Sequence, residues 1–166
     1  EEGWSVAVNA GPPLNSPANE GAQTLSSDGN YMYFTACDRP GGAGSCDIYF
    51  SSLSSGKWSI PFNIGPPVNT SFWESQPSVS ANGRMLFFSG NRPGGLGGKD
   101  LWYSVKKKDN SWSEPVNMGD MINTDGDEMS PFIHFDGKTL YFSSDGRPGM
   151  GGFDIYLTRM EDDSTW

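Results

Sequence analysis

Between Trp58 and Trp112 the chain reads WSIPFNIGPPVNTSFWESQPSVSANGRMLFFSGNRPGGLGGKDLWYSVKKKDNSW. The tryptophans that bracket this stretch belong to a series. Trp4, Trp58, Trp112 and Trp166 are each 54 positions apart. Asn15, Asn69 and Asn123 keep the same step, as do Glu20, Glu74 and Glu128, and Gly29, Gly83 and Gly137. A fixed period of this length marks a repeat architecture, and it outranks every local signal.

Each unit divides into four short strands. The first follows the glutamate, over residues 21–26, 75–80 and 129–134, and ends at Asp28-Gly29, Asn82-Gly83 or Asp136-Gly137. These dipeptides predict type I′ hairpin turns, with positive φ at both central residues. The second strand, over residues 31–35, 85–89 and 139–143, is dense in aromatic and apolar side chains, as a strand buried on both faces requires. A loop then carries Arg39-Pro40-Gly41-Gly42, Arg92-Pro93-Gly94-Gly95 or Arg147-Pro148-Gly149. The third strand opens at Asp47, Asp100 or Asp154. The fourth opens at Trp58-Ser59-Ile60-Pro61 and Trp112-Ser113-Glu114-Pro115. Its proline lacks a donor N–H, which places it at the outer edge of the sheet.

A tandem four-stranded antiparallel meander is a propeller blade, and stacking blades about an axis buries both faces of each. The expected fold is therefore an all-β β-propeller of three units. Its limits are residues 20–73, 74–127 and 128–166, the last lacking its outer strand. Residues 1–19 would supply the outer strand (residues 4–9) and connection of a preceding blade. Three blades do not close, since propellers have about four to eight. Either further blades lie in a longer protein, or two copies join head to tail in a six-bladed homodimer.

Composition bounds the rest. The 166 residues include 22 Gly and 12 Pro, too many for a helical bundle, and 22 aromatics, too many for a disordered chain. A net charge of −9 argues against a nucleic-acid partner. No apolar run is long enough to span a membrane as a helix, and no signal peptide is visible. Cys37 and Cys46 flank one glycine-rich loop. With a single histidine, His134, far along the chain, they suit a disulfide better than half a zinc site. Such a bridge contributes about 3 kcal/mol on the chain-entropy model and belongs outside the reducing cytosol.

The pattern Ser-x-Asp-Gly-x-x-Leu-Tyr-Phe-Ser, then Arg-Pro-Gly-Gly-x-Gly-x-Asp-Ile-Tyr, then Trp-Ser-x-Pro-x-Asn-x-Gly resembles the WD40-like propeller repeat of the TolB type. It is most similar to the long repeats of Bacteroidetes outer-membrane-associated proteins. These include OmpA-family lipoproteins and the PorE-like component of the type IX secretion system. The resemblance covers nearly the whole chain, and unit two matches best. Unit one departs from it by its cysteines, and unit three by losing one glycine of the pair. It implies a periplasmic, outer-membrane-associated or extracellular interaction module.

The expected function is a non-catalytic scaffold of the bacterial envelope. It would bind a protein or peptide on the loop face or in the axial channel. The alternative is a carbohydrate-binding propeller lectin. Residues that break the repeat are the better binding candidates. Phe72 and Trp73 stand where other connections carry Ala18-Asn19 and Gly126-Asp127, and exposed aromatics suit a protein hot spot or a sugar platform. Glu20, Glu74 and Glu128 could ring the channel mouth, or bond a neighbouring blade's backbone. Arg39, Arg92 and Arg147 could grip a carboxylate, or hold their loops through an aspartate or loop carbonyls. Asp47, Asp100 and Asp154 are expected to accept loop N–H bonds. No cofactor is expected. Asp125, Asp127 and Glu128 cluster without the full spacing of a calcium loop. Lys106-Lys107-Lys108 reads as a solvated hairpin tip, and His134 as structural. No nucleophile motif accompanies the lone histidine, and the carboxylates recur in every unit, so catalysis is not expected.

Overall fold

The computed structural model describes residues 3–161 and residue 166. Twelve strands and no helix occur among them, so no helix there is long and apolar enough to cross a membrane. The strands are β1 (Asn19–Leu25), β2 (Tyr31–Cys37), β3 (Cys46–Ser54), β4 (Lys57–Trp58), β5 (Phe62–Asn63), β6 (Glu74–Val79), β7 (Met85–Gly90), β8 (Asp100–Val105), β9 (Val116–Asn117), β10 (Glu128–Ile133), β11 (Thr139–Ser144) and β12 (Asp154–Arg159). They form three antiparallel sheets in simple meander order: β1-β2-β3 with β4 and β5 along the edge of β3, β6-β7-β8-β9, and β10-β11-β12. These are consecutive blades of a β-propeller, as the repeat predicts.

The central strands explain the packing. In β7, Leu86, Phe87 and Phe88 are all fully buried. Side chains alternate between faces, so consecutive buried residues require cover on both sides. Phe88 and Leu86 join Tyr33, Ile48, Val68, Val79, Trp102 and Trp112 between the first and second sheets. Phe87 joins Leu101, Ile122, Ile133, Leu140 and Phe142 between the second and third. Two of the periodic tryptophans, Trp112 and Trp166, serve these seams. Trp112 meets the Tyr33 ring edge-on at 6.0 Å, and Trp166 meets the equivalent Phe87 at 5.5 Å.

The inner strands are bent at matched positions. Each carries a bulge, between Gly21 and Thr24, Ser75 and Ser78, and Met129 and Phe132. Ala22, Gln76 and Ser130 adopt φ of 48°, 57° and 54° there. A bulge leaves ladder groups unpaired, and neighbouring sheets supply partners. Gln76 N donates to Thr35 Oγ1 at 3.0 Å, Ile133 N to Ser78 Oγ at 3.0 Å, and Ser130 N to Gln76 Oε1 at 2.7 Å.

Three local expectations need correction. The hairpin turns are not type I′. Gly29, Gly83 and Gly137 have φ of 71°, 68° and 68°, whereas Asp28, Asn82 and Asp136 stay out of the positive region. Gly29 N donates to Ser26 O and Ser26 N to Tyr31 O, both at 2.9 Å. This is a turn closed by a left-handed glycine. The Asx side chain decides it: Asp28 Oδ1 accepts from Asn30 N at 3.0 Å, and Asn82 Oδ1 from Arg84 N at 3.0 Å. The same loop N–H groups, from Lys138 and Thr139, hold the Asp136 carboxyl well below the usual carboxylate range.

The fourth strand is broken. Ladder pairing is confined to Lys57–Trp58 and Phe62–Asn63 in the first sheet and to Val116–Asn117 in the second, with an isolated bridge at Trp112. Pro61 and Pro115 interrupt the ladder, and Ser51 Oγ and Ser104 Oγ span the gap by donating to Ser59 O and Ser113 O at 2.8 and 2.7 Å. Residues 4–9, expected as an outer strand, form none. Trp4, Val6 and Val8 are exposed, because an outer strand exists only by pairing with a third strand, and none of β3, β8 and β12 pairs there.

Candidate functional site

The loop face is assembled from two segments per repeat: the connection leading into the inner strand, and the glycine loop after the second strand. Backbone contact joins them. A Cβ added to Gly44 would lie 2.8 Å from the Thr70 carbonyl oxygen and nearer still to that of Phe72. Gly97 sits equally close against the carbonyls of Thr124 and Gly126. The sequence needs glycine there because the next connection occupies the side-chain space.

Charged groups that recur in the repeat are spent on this assembly. Asp47 Oδ2 accepts from Ala43 N at 2.8 Å, Asp100 from Leu96 N at 2.6 Å and Gly97 N at 3.2 Å, and Asp154 from Met150 N at 2.8 Å. The arginines bond carbonyls of the connection rather than an aspartate. Arg39 donates to Pro13 O at 3.1 Å, Arg92 to Val68 O and Pro67 O at 3.2 and 3.1 Å, and Arg147 to Met121 O and Ile122 O at 2.6 and 2.8 Å. Their guanidinium carbons also lie 5.2, 5.4 and 5.9 Å from the ring centres of Tyr49, Trp102 and Tyr156.

The glutamates point into their own connections. Glu74 accepts from Thr70 N at 2.9 Å and Thr70 Oγ1 at 2.5 Å; Glu128 accepts from Thr124 N, Thr124 Oγ1 and Ser144 Oγ at 2.8, 2.6 and 2.6 Å. Both are fully buried. Burial pushes the Glu74 carboxyl above its ordinary value, against the opposing pull of the Thr70 bonds and Arg92. Glu20, half-buried, bonds Ser16 N and Ser16 Oγ in the same way.

The repeat-breaking pair divides. Phe72 is 41% exposed. Trp73 is half-buried: its backbone bridges Cys46, its N–H donates to Asn91 Oδ1 at 2.9 Å, and Lys99 Nζ stands 5.6 Å from its ring centre. Lys99 continues to Asp127 Oδ2 at 2.7 Å. Phe72, Trp73, Lys99 and Asp127 thus run along one face across two repeats. The Cys37–Cys46 disulfide is formed at the end of the β2–β3 pair, beside Trp73. Asp127 and Glu128 are engaged as described, and among the described residues no three His, Cys, Asp or Glu groups converge as metal ligands. His134 lies in a turn at the opposite end, its Nδ1 3.3 Å from Asp136 Oδ2.

The periodic asparagines hold a role that their spacing alone did not disclose. Asn69 Oδ1 accepts from Ile48 N at 2.9 Å while its Nδ2 donates to Ile48 O at 2.8 Å. Asn123 does the same to Leu101 at 2.8 and 3.0 Å. Each amide acts as a one-residue strand on the edge of the preceding third strand. The side chain of the exposed Asn15 makes the local bond to Asn9, at 2.9 Å, and grips no strand among the described residues.

No family model matches the sequence, and no curated protein does. Solved structures match it over most of its length. A TolB-like protein from Agrobacterium tumefaciens shares 18% identity at a TM-score of 0.59, over 88% of this chain and 47% of that one. An alpha-L-arabinofuranosidase from Lactobacillus brevis shares 17% identity at 0.57, over 92% of this chain and 56% of that one. A prolyl endopeptidase shares 17% identity at 0.51, over 86% of this chain and 20% of that one. The chain spans about half the length of the first two. At these identities the likeness is one of fold: a β-propeller.

Proposed function

We propose that the chain is a non-catalytic interaction scaffold of the bacterial envelope, of the kind to which its repeat motif is similar, including type IX secretion components. It binds a protein or peptide on the loop face. The observation that carries this reading is the Phe72–Trp73 pair, which departs from the repeat on a face whose recurring charged groups, Glu74, Arg92 and Glu128 among them, hold the loops. An aromatic anchor on a rigid rim is how interfaces concentrate binding energy. The disulfide supports a periplasmic or extracellular setting. In this reading the blades run over residues 20–73, 74–127 and 128–166.

The test pairs a pull-down from envelope extract with a glycan array, using wild type and a Phe72→Ala/Trp73→Ala double variant. The expected result is one captured envelope protein whose yield falls about tenfold in the variant, about 1.4 kcal/mol. Glycan binding lost in the variant would instead establish the lectin. The third sheet exposes Phe132, Ile155 and Leu157 at 58%, 82% and 63%. In the scaffold a further blade covers them, from a longer chain or from a second copy joined head to tail. Light scattering on the 18.0 kDa chain distinguishes these: a doubled mass supports the homodimer, and a folded monomer refutes it.

A further inference from the structure

At the end of the blades opposite the loop face, a cleft of about 540 Å³ opens between the first and second sheets. Small-molecule sites span roughly 300–1,000 Å³. One wall is aromatic. Tyr31 is 45% exposed and stacks on Phe50 at 5.7 Å, and the buried Tyr33 meets Phe50 edge-on at 5.0 Å. Burial pushes the Tyr33 phenol up to about 12, so it stays a neutral donor. The facing wall is cationic: Arg84 follows the Asn82-Gly83 turn, and Lys106 and Lys107 open the next hairpin. None of the three makes a salt bridge among the described residues. Lys106 lies over the Trp112 ring, and Asp109 stands near Lys107. The carboxylate at the mouth, Asp28, already accepts from Ser26 Oγ, Asn30 N and Asn30 Nδ2.

The repeat does not require this chemistry. Through the strand register, Lys106 and Lys107 replace Leu53 and Ser54 of the first repeat and Met160 and Glu161 of the third. Tyr31 is Met85 in the second repeat and Thr139 in the third. On a chain of net charge −9, a cationic wall is a local inversion of sign.

We infer that this cleft binds an anionic saccharide, a sugar bearing uronate or sulfate groups. The apolar face of a pyranose ring rests on Tyr31, and its acidic group meets Arg84 and Lys107. The Asn82 and Asn110 amides at the rim meet its hydroxyls. A peptide is less suited. Extended peptides bind by adding to a free strand edge, and here the turn backbone is already paired: Ser26 N to Tyr31 O, Gly83 N to Ser80 O, Lys106 N to Arg84 O and Asn110 N to Lys107 O.

The inference is independent of the loop-face reading, and calorimetry tests it with three probes: a heparin-derived tetrasaccharide, neutral cellotetraose, and a peptide of alternating Glu and Tyr. The heparin fragment is expected to bind, more weakly as salt rises, and cellotetraose is not. Tyr31→Ala and Lys107→Glu, both at exposed positions, should each raise Kd about tenfold while leaving the circular dichroism unchanged. Trp73→Ala should leave Kd unaltered. Failure to bind the fragment, equal binding by Tyr31→Ala, or tighter binding of the peptide would overturn it.

Discussion

Asn123→Ala is expected to destabilise the chain by about 3 kcal/mol. The amide is 1% exposed and pairs with both backbone groups of Leu101 and with Asn117 Oδ1 at 2.9 Å. Leu101 O keeps a second donor, Met118 N at 3.1 Å, but Leu101 N keeps none among the described residues. A buried donor without a partner costs about 1–3 kcal/mol, and the lost side-chain packing adds to it. Urea titration of both variants provides the internal control. Asn15→Ala removes the residue of the same repeat position, yet Asn15 grips no strand, so its cost should stay below about 1 kcal/mol. Equal midpoints for the two variants would remove the strand-edge account.

The second large effect is at Glu74. Glu74→Ala empties a fully buried position and leaves Thr70 N and Thr70 Oγ1, on the half-buried Thr70, without their acceptor, at about 3 kcal/mol. Glu74→Gln retains an amide oxygen for the N–H and should cost about 1 kcal/mol. The pH dependence has a definite sign. Burial raises the folded carboxyl above its ordinary 4.5, so the folded chain holds this proton to higher pH than the unfolded chain does. The stability this contributes is complete below that ordinary value and is lost as pH rises through the raised one. The advantage of wild type over Glu74→Gln should therefore narrow with rising pH. A gap that widened in urea titrations at stepped pH would contradict the buried-carboxyl account.

The architecture was legible because its signals are local and periodic. One tryptophan recurring every 54 residues, with one Asx-Gly turn and one Arg-Pro-Gly loop in each repeat, suffices to lay out blades. The turn type escapes the dipeptide rule, which considers only two residues. Ser26 and Ser80, which donate to Asp28 Oδ1 and Asn82 Oδ1, help hold the alternative. The asparagines were visible as a series, but their partner is a strand 21 or 22 residues earlier, known only once the sheet edge is placed. Trp73 stood out for breaking the pattern. That Lys99 partly covers it depends on a loop from the following blade. The aromatic and cationic cleft was invisible for a related reason. Tyr31 and Lys107 are far apart in sequence and meet only because two sheets stack.

The asparagine clasp also makes the unit interchangeable. What Ile48 receives from Asn69, Leu101 receives from Asn123, through the same pair of bonds. Excising residues 70–123 would leave Asn69 running directly into Thr124, with its amide still beside Ile48. Duplicating that segment would add one more identical coupling. Tandem gain or loss in steps of 54 residues thus needs no new junction, which gives such a chain an inexpensive route to wheels of different circumference.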